Sequence, residues 1–300
     1  MNSRRDFLQK ITGGLVLLNI PSTSSAHPEQ IIESPYEGPI LRVAIMGLGS
    51  YGTRVAEAMQ QCKMAKLTGI ISGTPSKIKD WQSKYNIAEG NCYNYENFDR
   101  IKDNPEIDAV YVITPNALHH DQVIRVAKAG KHVICEKPLA KDLHEAEELV
   151  EIAAKSGLVN AVHFNLRYYP LVRQMKTMRE KGDLGEIYSI IGSYLQDWLF
   201  YATDYNWRLE PDKSGDSRAI ADIGSHLLDI IEYITGLKTV EVMADFNTVH
   251  KVRKKPLKPV ETYSGKMLTP EDYADVPINT EDHANVLLRF DNGNRGSVTV

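Results

Sequence analysis

The chain is poor in cysteine, in charge of one sign and in long apolar runs, and each shortage removes a class of protein. Three cysteines, Cys62, Cys92 and Cys135, stand far apart among 300 residues without a CxxC pair. Neither a disulfide framework nor a thiolate metal site is expected, and the three read as small buried residues. His119 and His120 are adjacent, with no Cys or carboxylate at a chelating spacing, so no metal is expected. The 35 Lys and Arg against 39 Asp and Glu leave a formal charge of -4, too little to recruit nucleic acid or an anionic lipid surface. One dense basic run, KVRKKPLK at 251–258, contains Pro256 and reads as a solvated loop, with a phosphate-binding patch as the sharper alternative. No run approaches the roughly 20 apolar residues of a bilayer-spanning helix, so no stable membrane span is expected.

The first residues carry an address. Arg4 and Arg5 precede Phe7 and Leu8, a mild apolar run follows from Ile11 to Ile20, and Ser24, Ser25 and Ala26 offer small residues for cleavage. This is the pattern of a twin-arginine export signal over residues 1–26, and it sets a periplasmic destination. Residues 27–40, with three prolines and no clear period, read as an arm or linker.

From Leu41 strand and helix signals alternate: an apolar run at 41–46, a helix at about 51–61, a strand at about 66–72, and strands near 109–113 and 132–135. Alternation at roughly 25-residue spacing implies parallel strands with helices on both faces, an α/β fold. Between the first strand and the first helix lies Gly47-Leu48-Gly49-Ser50-Tyr51-Gly52, a GxGxxG in its strand-turn-helix setting. Gly47 permits the tight turn, and Gly49 removes a side chain where a pyrophosphate must approach. Gly52 lets helix and strand pack closely, and the helix N-terminus with Ser50 and Tyr51 supplies donors. A dinucleotide-binding Rossmann domain is therefore expected over 41–163. NAD sites usually carry an acid at the end of the second strand; here the residues are Ser72, Gly73, Thr74, Pro75, Ser76 and Lys77. Hydroxyls and a lysine without a carboxylate suit a 2'-phosphate, so NADP is favoured, with NAD possible. An exported enzyme has no free nicotinamide pool, so its cofactor would have to stay bound.

Further spaced motifs carry a resemblance. Together with the glycine turn, Thr114-Pro115-Asn116 with His119, Cys135-Glu136-Lys137-Pro138 and Asp222-Ile223-Gly224-Ser225-His226 make the chain resemble the Gfo/Idh/MocA oxidoreductase family from about residue 41 onward. The SGTPSK turn is similar to that of the family's exported glucose-fructose branch, which has tyrosine at the His226 position. The resemblance implies an N-terminal Rossmann domain followed by an α+β domain, here 164–300, with an open, mainly antiparallel sheet that carries a homo-oligomer interface. Strand-like runs near 187–195, 239–247, 284–290 and 296–300 and a helix at about 219–235 fit that second domain. The sequence stops within a strand pattern, and relatives usually continue, so truncation of the last sheet strands is expected.

The resemblance also implies the chemistry. Thr114, Pro115, Asn116, His119 and Glu136 would contact the cofactor. Lys137 would bond the substrate hydroxyl and the nearby cofactor ribose, with Pro138 shaping the turn. His226 would be the general acid/base and Asp222 would hold the catalytic groups. Asp222, His226 and Asp229 are spaced i, i+4 and i+7, which puts all three on one helix face that can point at the nicotinamide. Arg218 is either a substrate or cofactor contact or a helix-start surface residue. Polar and aromatic residues that suit a carbohydrate or polyol cluster at Asn165, Arg167 and Tyr169, at 196–198, and at Trp207 and Arg208. The expected activity is an NAD(P)-dependent sugar or polyol oxidoreductase. Two alternatives stand beside it: a nicotinamide-assisted glycoside hydrolase on the same scaffold, and a non-catalytic sugar-binding protein.

Overall fold

Short apolar runs closed by glycine or by polar turns become the strands of a parallel sheet in the computed structural model, which describes residues 37–258 and 268–300. The expected export signal and most of the expected arm lie outside the described residues. The strands are β1 (Leu41–Met46), β2 (Ala65–Ile71), β3 (Cys92–Tyr93), β4 (Ala109–Val112), β5 (His132–Glu136) and β6 (Asn160–His163), in the order β3-β2-β1-β4-β5-β6 and parallel throughout. The helices of this half are α1 (Ser50–Met59), α2 (Pro75–Tyr85), α3 (His119–Lys128) and α4 (Leu143–Ser156).

Local chemistry fixes where these helices begin and end. Pro75 opens α2, where a missing N–H costs nothing, and Asn86 closes it in the left-handed conformation. Asp142 caps α4 by accepting from the Glu145 N–H, and Gly157 ends it. Ala44 and Met46 of β1 pack into one core with Ile71, Phe98 and Val110, while Ile45 packs into another with Ile70 and Trp81. Both faces of the sheet are therefore covered, as a parallel sheet requires. The strand order reverses between β1 and β4, which opens a crevice at their C-terminal ends.

The second half has α5 (Pro170–Glu180), β7 (Ser189–Ser193), α6 (Ser225–Thr235), β8 (Thr239–Asn247), a hairpin of β9 (Val252–Pro256) and β10 (Tyr273–Pro277), β11 (His283–Phe290) and β12 (Arg295–Thr299). Its main sheet runs β7-β12-β11-β8. β11 is antiparallel to both neighbours and β12 is parallel to β7. Val286, Leu288 and Phe290 alternate inward along β11, where Leu227, Leu228 and Ile231 of α6 cover them. Both halves belong to one unit, Pro39–Val300. No helix among the described residues is long and apolar enough to cross a membrane.

Three expectations need correction. The basic run is not a solvated loop, because Val252–Pro256 within it form β9 and Arg253 is 1% exposed. Arg253 donates to Asp282 at 2.7 Å and to the Tyr201 carbonyl at 2.9 Å, so the lysines that flank it masked an inward-facing alternate residue. The helix expected from 219 begins as a π-helical turn, Ile220–Gly224, and becomes α-helical only at Ser225. Of the cysteines only Cys135 is buried; Cys62 is exposed and Cys92 half-buried.

The π turn has a visible anchor. One Glu281 oxygen accepts from the Arg218 and Ile220 N–H groups and from the Ser217 hydroxyl, each at 2.9 Å. Next to it Asp282 pairs with the guanidinium groups of both Arg218 and Arg253. Asp282→Ala leaves two buried cations without their carboxylate. It is expected to lower unfolding free energy by about 3–5 kcal/mol, read by denaturant titration. A loss under about 1 kcal/mol would contradict the role given to this pair.

Candidate active site

The GxGxxG turn needs its glycines for different reasons. Gly47 sits at φ +102°, and a Cβ there would lie 2.6 Å from the Ile113 carbonyl oxygen. At Gly52 a Cβ would lie 2.5 Å from the Gly47 carbonyl oxygen. Gly49 is the opposite case, since a Cβ there meets nothing within 4 Å and would project into open space. That residue caps α1 without a side-chain hydrogen bond, so a glycine-floored cradle lies in front of the free first-turn N–H groups of Ser50, Tyr51 and Gly52. A cleft of about 1150 Å³ runs from this turn to His226.

The second strand ends in the same cleft. Ser72, Thr74 and Lys77 line it, and the Ser72 hydroxyl accepts from the Thr74 N–H at 3.2 Å. Gly73 does not line it; a Cβ there would press on the Tyr95 ring at 3.0 Å. Tyr95, beside Gly73, and Arg54 of α1 also line the cleft and escaped the sequence reading. Arg54 lies one helical turn beyond Ser50, a spacing that could have found it, whereas Tyr95 belongs to a loop with no motif.

Thr114, Pro115 and Asn116 line the middle. Thr114 donates from its hydroxyl to Gln122 at 2.6 Å, and Asn116 donates to the Ser214 carbonyl at 3.0 Å, tying the β4 loop to the second half. His119, expected as a cofactor contact, is a strut instead. It is buried with its ring nitrogens 2.9 Å from the Thr114 and Pro138 carbonyls, and burial pulls its pKa below the usual imidazole value.

At the far end the two halves meet through charge. Lys137, joined to Pro138 by a cis peptide bond at the end of β5, donates from Nζ to both the carbonyl and Oδ1 of Asp222 at 2.7 Å. The other Asp222 oxygen lies 3.0 Å from Arg208 Nε. Burial alone would raise the Asp222 pKa, but the Arg208 guanidinium and the Lys137 ammonium outweigh it and hold the carboxyl below its ordinary value. One turn on, His226 faces Phe164 and Tyr194 edge-on at 6.1 and 6.4 Å between ring centroids. Its Nδ1 is buried without a hydrogen-bond partner among the described residues. Burial, and then the Lys137 charge, lower its pKa to about 4, so the imidazole is neutral at neutral pH.

Glu136, which lines the cleft beside Lys137, is held from below. Its Oε1 accepts from the Tyr111 hydroxyl and lies 2.8 Å from His163 Nδ1. Burial would raise the Glu136 pKa, but His163 and Tyr111 bring it down overall. Tyr51 extends the chain toward α1, with burial pushing its phenol up to about 12. No sequence signal marked Tyr111 or His163, since a tyrosine and a histidine in parallel strands read as core.

The expected substrate residues divide. Asn165, Tyr169, Trp207 and Arg208 line the cleft, and the Arg208 guanidinium lies 4.5 Å from the Trp207 ring centroid and 5.3 Å from that of Trp198. Arg167 does not line it. Its Nε donates to Asp229 at 2.8 Å, and the same guanidinium lies over Phe164 and Tyr233. This pairing corrects two expectations, because Asp229 is turned to Arg167 and not to the cleft. Arg218 is neither a ligand contact nor a surface residue, being buried against Asp282 and Glu281. Among the described residues no group of three or more His, Cys, Asp or Glu could hold a metal ion.

Comparison with known proteins agrees with this arrangement. Residues 41–164 match the model of an oxidoreductase family with an NAD-binding Rossmann fold, and residues 172–300 match that of the GFO/IDH/MocA C-terminal domain. Levoglucosan dehydrogenase of Pseudarthrobacter phenanthrenivorans is 34% identical over 207 residues, 66% of this chain and 50% of that protein. The chain thus spans half the length of this curated relative. Aldose-aldose oxidoreductase from Caulobacter crescentus, solved with glycerol, superposes with a TM-score of 0.70 at 31% identity, covering 87% of this chain and 70% of that one. A levoglucosan dehydrogenase solved with NADH and L-sorbose gives a TM-score of 0.72 at 29% identity, covering 87% and 66%. With both halves of its sequence matched and its nucleotide turn facing the Lys137–Asp222 pair across one cleft, the chain belongs to the Gfo/Idh/MocA oxidoreductase family.

Proposed function

We propose that this protein is an NAD(P)-dependent dehydrogenase that oxidises a secondary alcohol of a sugar or polyol. The observation that carries the reading is Lys137, Asp222 and His226 set together at the opposite end of the cleft from the Gly49 cradle. The cradle and the N–H groups of Ser50 to Gly52 would hold the pyrophosphate, with Thr114, Pro115, Asn116 and Glu136 along the rest of the dinucleotide. When bound, the nicotinamide supplies the acceptor for the carbinol hydrogen and its two electrons. Lys137 has three N–H donors and commits two of them to Asp222, which leaves one for the substrate hydroxyl. Its positive charge favours deprotonation of that hydroxyl, and the neutral His226 imidazole accepts the proton. Asp222 fixes the ammonium and carries no proton itself.

NADP is the preferred cofactor in this reading, because Ser72, Thr74 and Lys77, which follow β2, line the cleft and none of the three is acidic. The second sheet is proposed as a homo-oligomer surface. Ile191, Leu287 and Met243 are exposed and lie in one row across β7, β12, β11 and β8, in register through Ser297. Leu287→Asp should shift the sedimentation coefficient to that of a monomer, and an unchanged value would remove the surface from consideration. Periplasmic export rests on Arg4 and Arg5, and replacing both with lysine should retain the protein in the cytoplasm on cell fractionation.

Reduced nicotinamide formation at 340 nm with a panel of hexoses and polyols tests the activity. Lys137→Ala should lower kcat by at least about 100-fold. The pH dependence follows from His226. Its neutral form is the competent base, so kcat/KM for oxidation should hold on the acid side down to about pH 5 and fall through a limb near 4. His226→Asn should remove that limb and lower the plateau by about 100-fold; a limb that persists in the variant would assign the base elsewhere. Lys77→Ala should raise KM for NADP by about 10-fold and leave that for NAD unchanged, the loss expected for one phosphate contact. Equal effects on both cofactors would contradict the phosphate role.

A further inference from the structure

One wall of the cleft carries a chain of hydrogen bonds whose direction is set by chemistry. Trp198 donates from its indole N–H to Gln196 Oε1 at 2.7 Å, and Gln196 Nε2 lies 2.9 Å from the Tyr194 hydroxyl. An indole nitrogen donates and does not accept, so the amide oxygen of Gln196 must face Trp198. Its NH2 group then faces Tyr194, and an amide NH2 group only donates. The Tyr194 oxygen therefore accepts in this bond, and its own O–H must donate in another direction. Tyr194, Gln196 and Trp198 all line the cleft, and among the described residues none accepts from that O–H.

The chain is held at both ends. Tyr194 directly follows β7, and its backbone N–H donates to the Thr299 carbonyl at 3.0 Å, which fixes where the side chain starts. At the other end the Arg208 guanidinium lies over the Trp198 ring. The Tyr194 ring meets His226 at 6.4 Å between centroids, so it stands at the end of the cleft that holds Lys137 and Asp222. Burial raises the Tyr194 pKa, so the phenol keeps its proton and remains a donor.

We propose, resting on the dehydrogenase reading of this cleft, that Tyr194 is a substrate-recognition residue, a hydrogen-bond donor of fixed direction that binds an acceptor oxygen of the sugar near the carbon oxidised. Ring, bridging and hydroxyl oxygens all meet that requirement. An ammonium at the same position does not, because it has no lone pair to accept with. Gln196 and Trp198 are positioning residues, which act by keeping the tyrosine from turning its hydrogen back into the wall.

Calorimetric titration of the full chain loaded with NADPH tests this, because the reduced cofactor lets an alcohol bind without turnover. The probes are D-glucose, D-galactose, D-mannose and 1,6-anhydroglucose, with the deoxy and carbacyclic analogues of the one that binds best. Affinity for NADPH itself checks that each variant is folded, and absorbance at 340 nm with NADP is recorded in parallel. Tyr194→Phe should weaken the best-bound sugar by about 10-fold, the loss expected when one hydrogen bond goes and leaves its partner unpaired. In the wild type one analogue should show the same loss for want of a single oxygen, and Tyr194→Phe should not distinguish that analogue from its parent. Two changes at Gln196 read the direction of the chain. Gln196→Glu replaces the amide donor with a carboxylate that accepts from both neighbours, so it captures the Tyr194 hydrogen and should also cost about 10-fold. Gln196→Ala leaves that hydrogen free and should cost less than about 3-fold. A wall that served only as a brace would give the opposite order, with alanine the worse of the two. That order would overturn the proposal, as would Tyr194→Phe binding every probe like the wild type or failure of every probe to bind. Variant effects in the expected order without a 340 nm band would uphold the donor and sink the dehydrogenase reading. A 340 nm band with affinities unchanged by the variants would do the reverse.

Discussion

The bond between Lys137 and Asp222 is the contact on which the site depends. It joins the end of a Rossmann strand to a helical turn in the second half, and both side chains are nearly buried. Burying the ammonium without a carboxylate would cost several kcal/mol, and the Asp222 carboxylate answers both it and Arg208. The pair therefore does two things at once. It holds the Asp222 turn against the crevice of the Gly47–Gly52 loop, and it leaves one donor of the ammonium unspent in the cleft. His226 takes its character from the same contact, since the nearby ammonium adds to burial in keeping the imidazole neutral.

Beneath the pair lies a second charged layer. Asp222 belongs to a π-helical turn, and such turns persist where surrounding groups over-determine them. Here Glu281 takes the N–H groups of Arg218 and Ile220, and Asp282 ties Arg218 to Arg253 of β9. On the other side His119 fastens the Thr114 loop to the Pro138 carbonyl, next to Lys137. Residues outside the cleft lining thus support the two ends of the central ion pair.

Much of this was legible in the sequence, for physical reasons that differ by region. Parallel strands buried on both faces leave near-continuous apolar runs, so β1, β2, β4 and β5 were found within a residue or so of their ends. The glycine turn was legible because sterics demand Gly47 and Gly52. Lys137, Asp222 and His226 were read from motif and helical spacing, and the cleft brings them together. What failed were ion pairs between distant segments. Arg167 finds Asp229, Arg218 finds Asp282, and Arg253 turns inward between lysines, and a charge pattern along the chain cannot reveal a partner across it. The Tyr111–Glu136–His163 cluster escaped for the same reason, and the π turn was invisible because its cause, Glu281, lies about sixty residues downstream.

A double-mutant cycle between Lys137 and Asp222, read as kcat/KM on the best substrate found, tests the central claim most directly. If the two act as one unit, the double alanine variant loses little more than the worse single variant, with a coupling energy of at least about 1.5 kcal/mol. Additive losses, with coupling near zero, would mean that the two residues serve the reaction separately and that the ion pair does not organise the site.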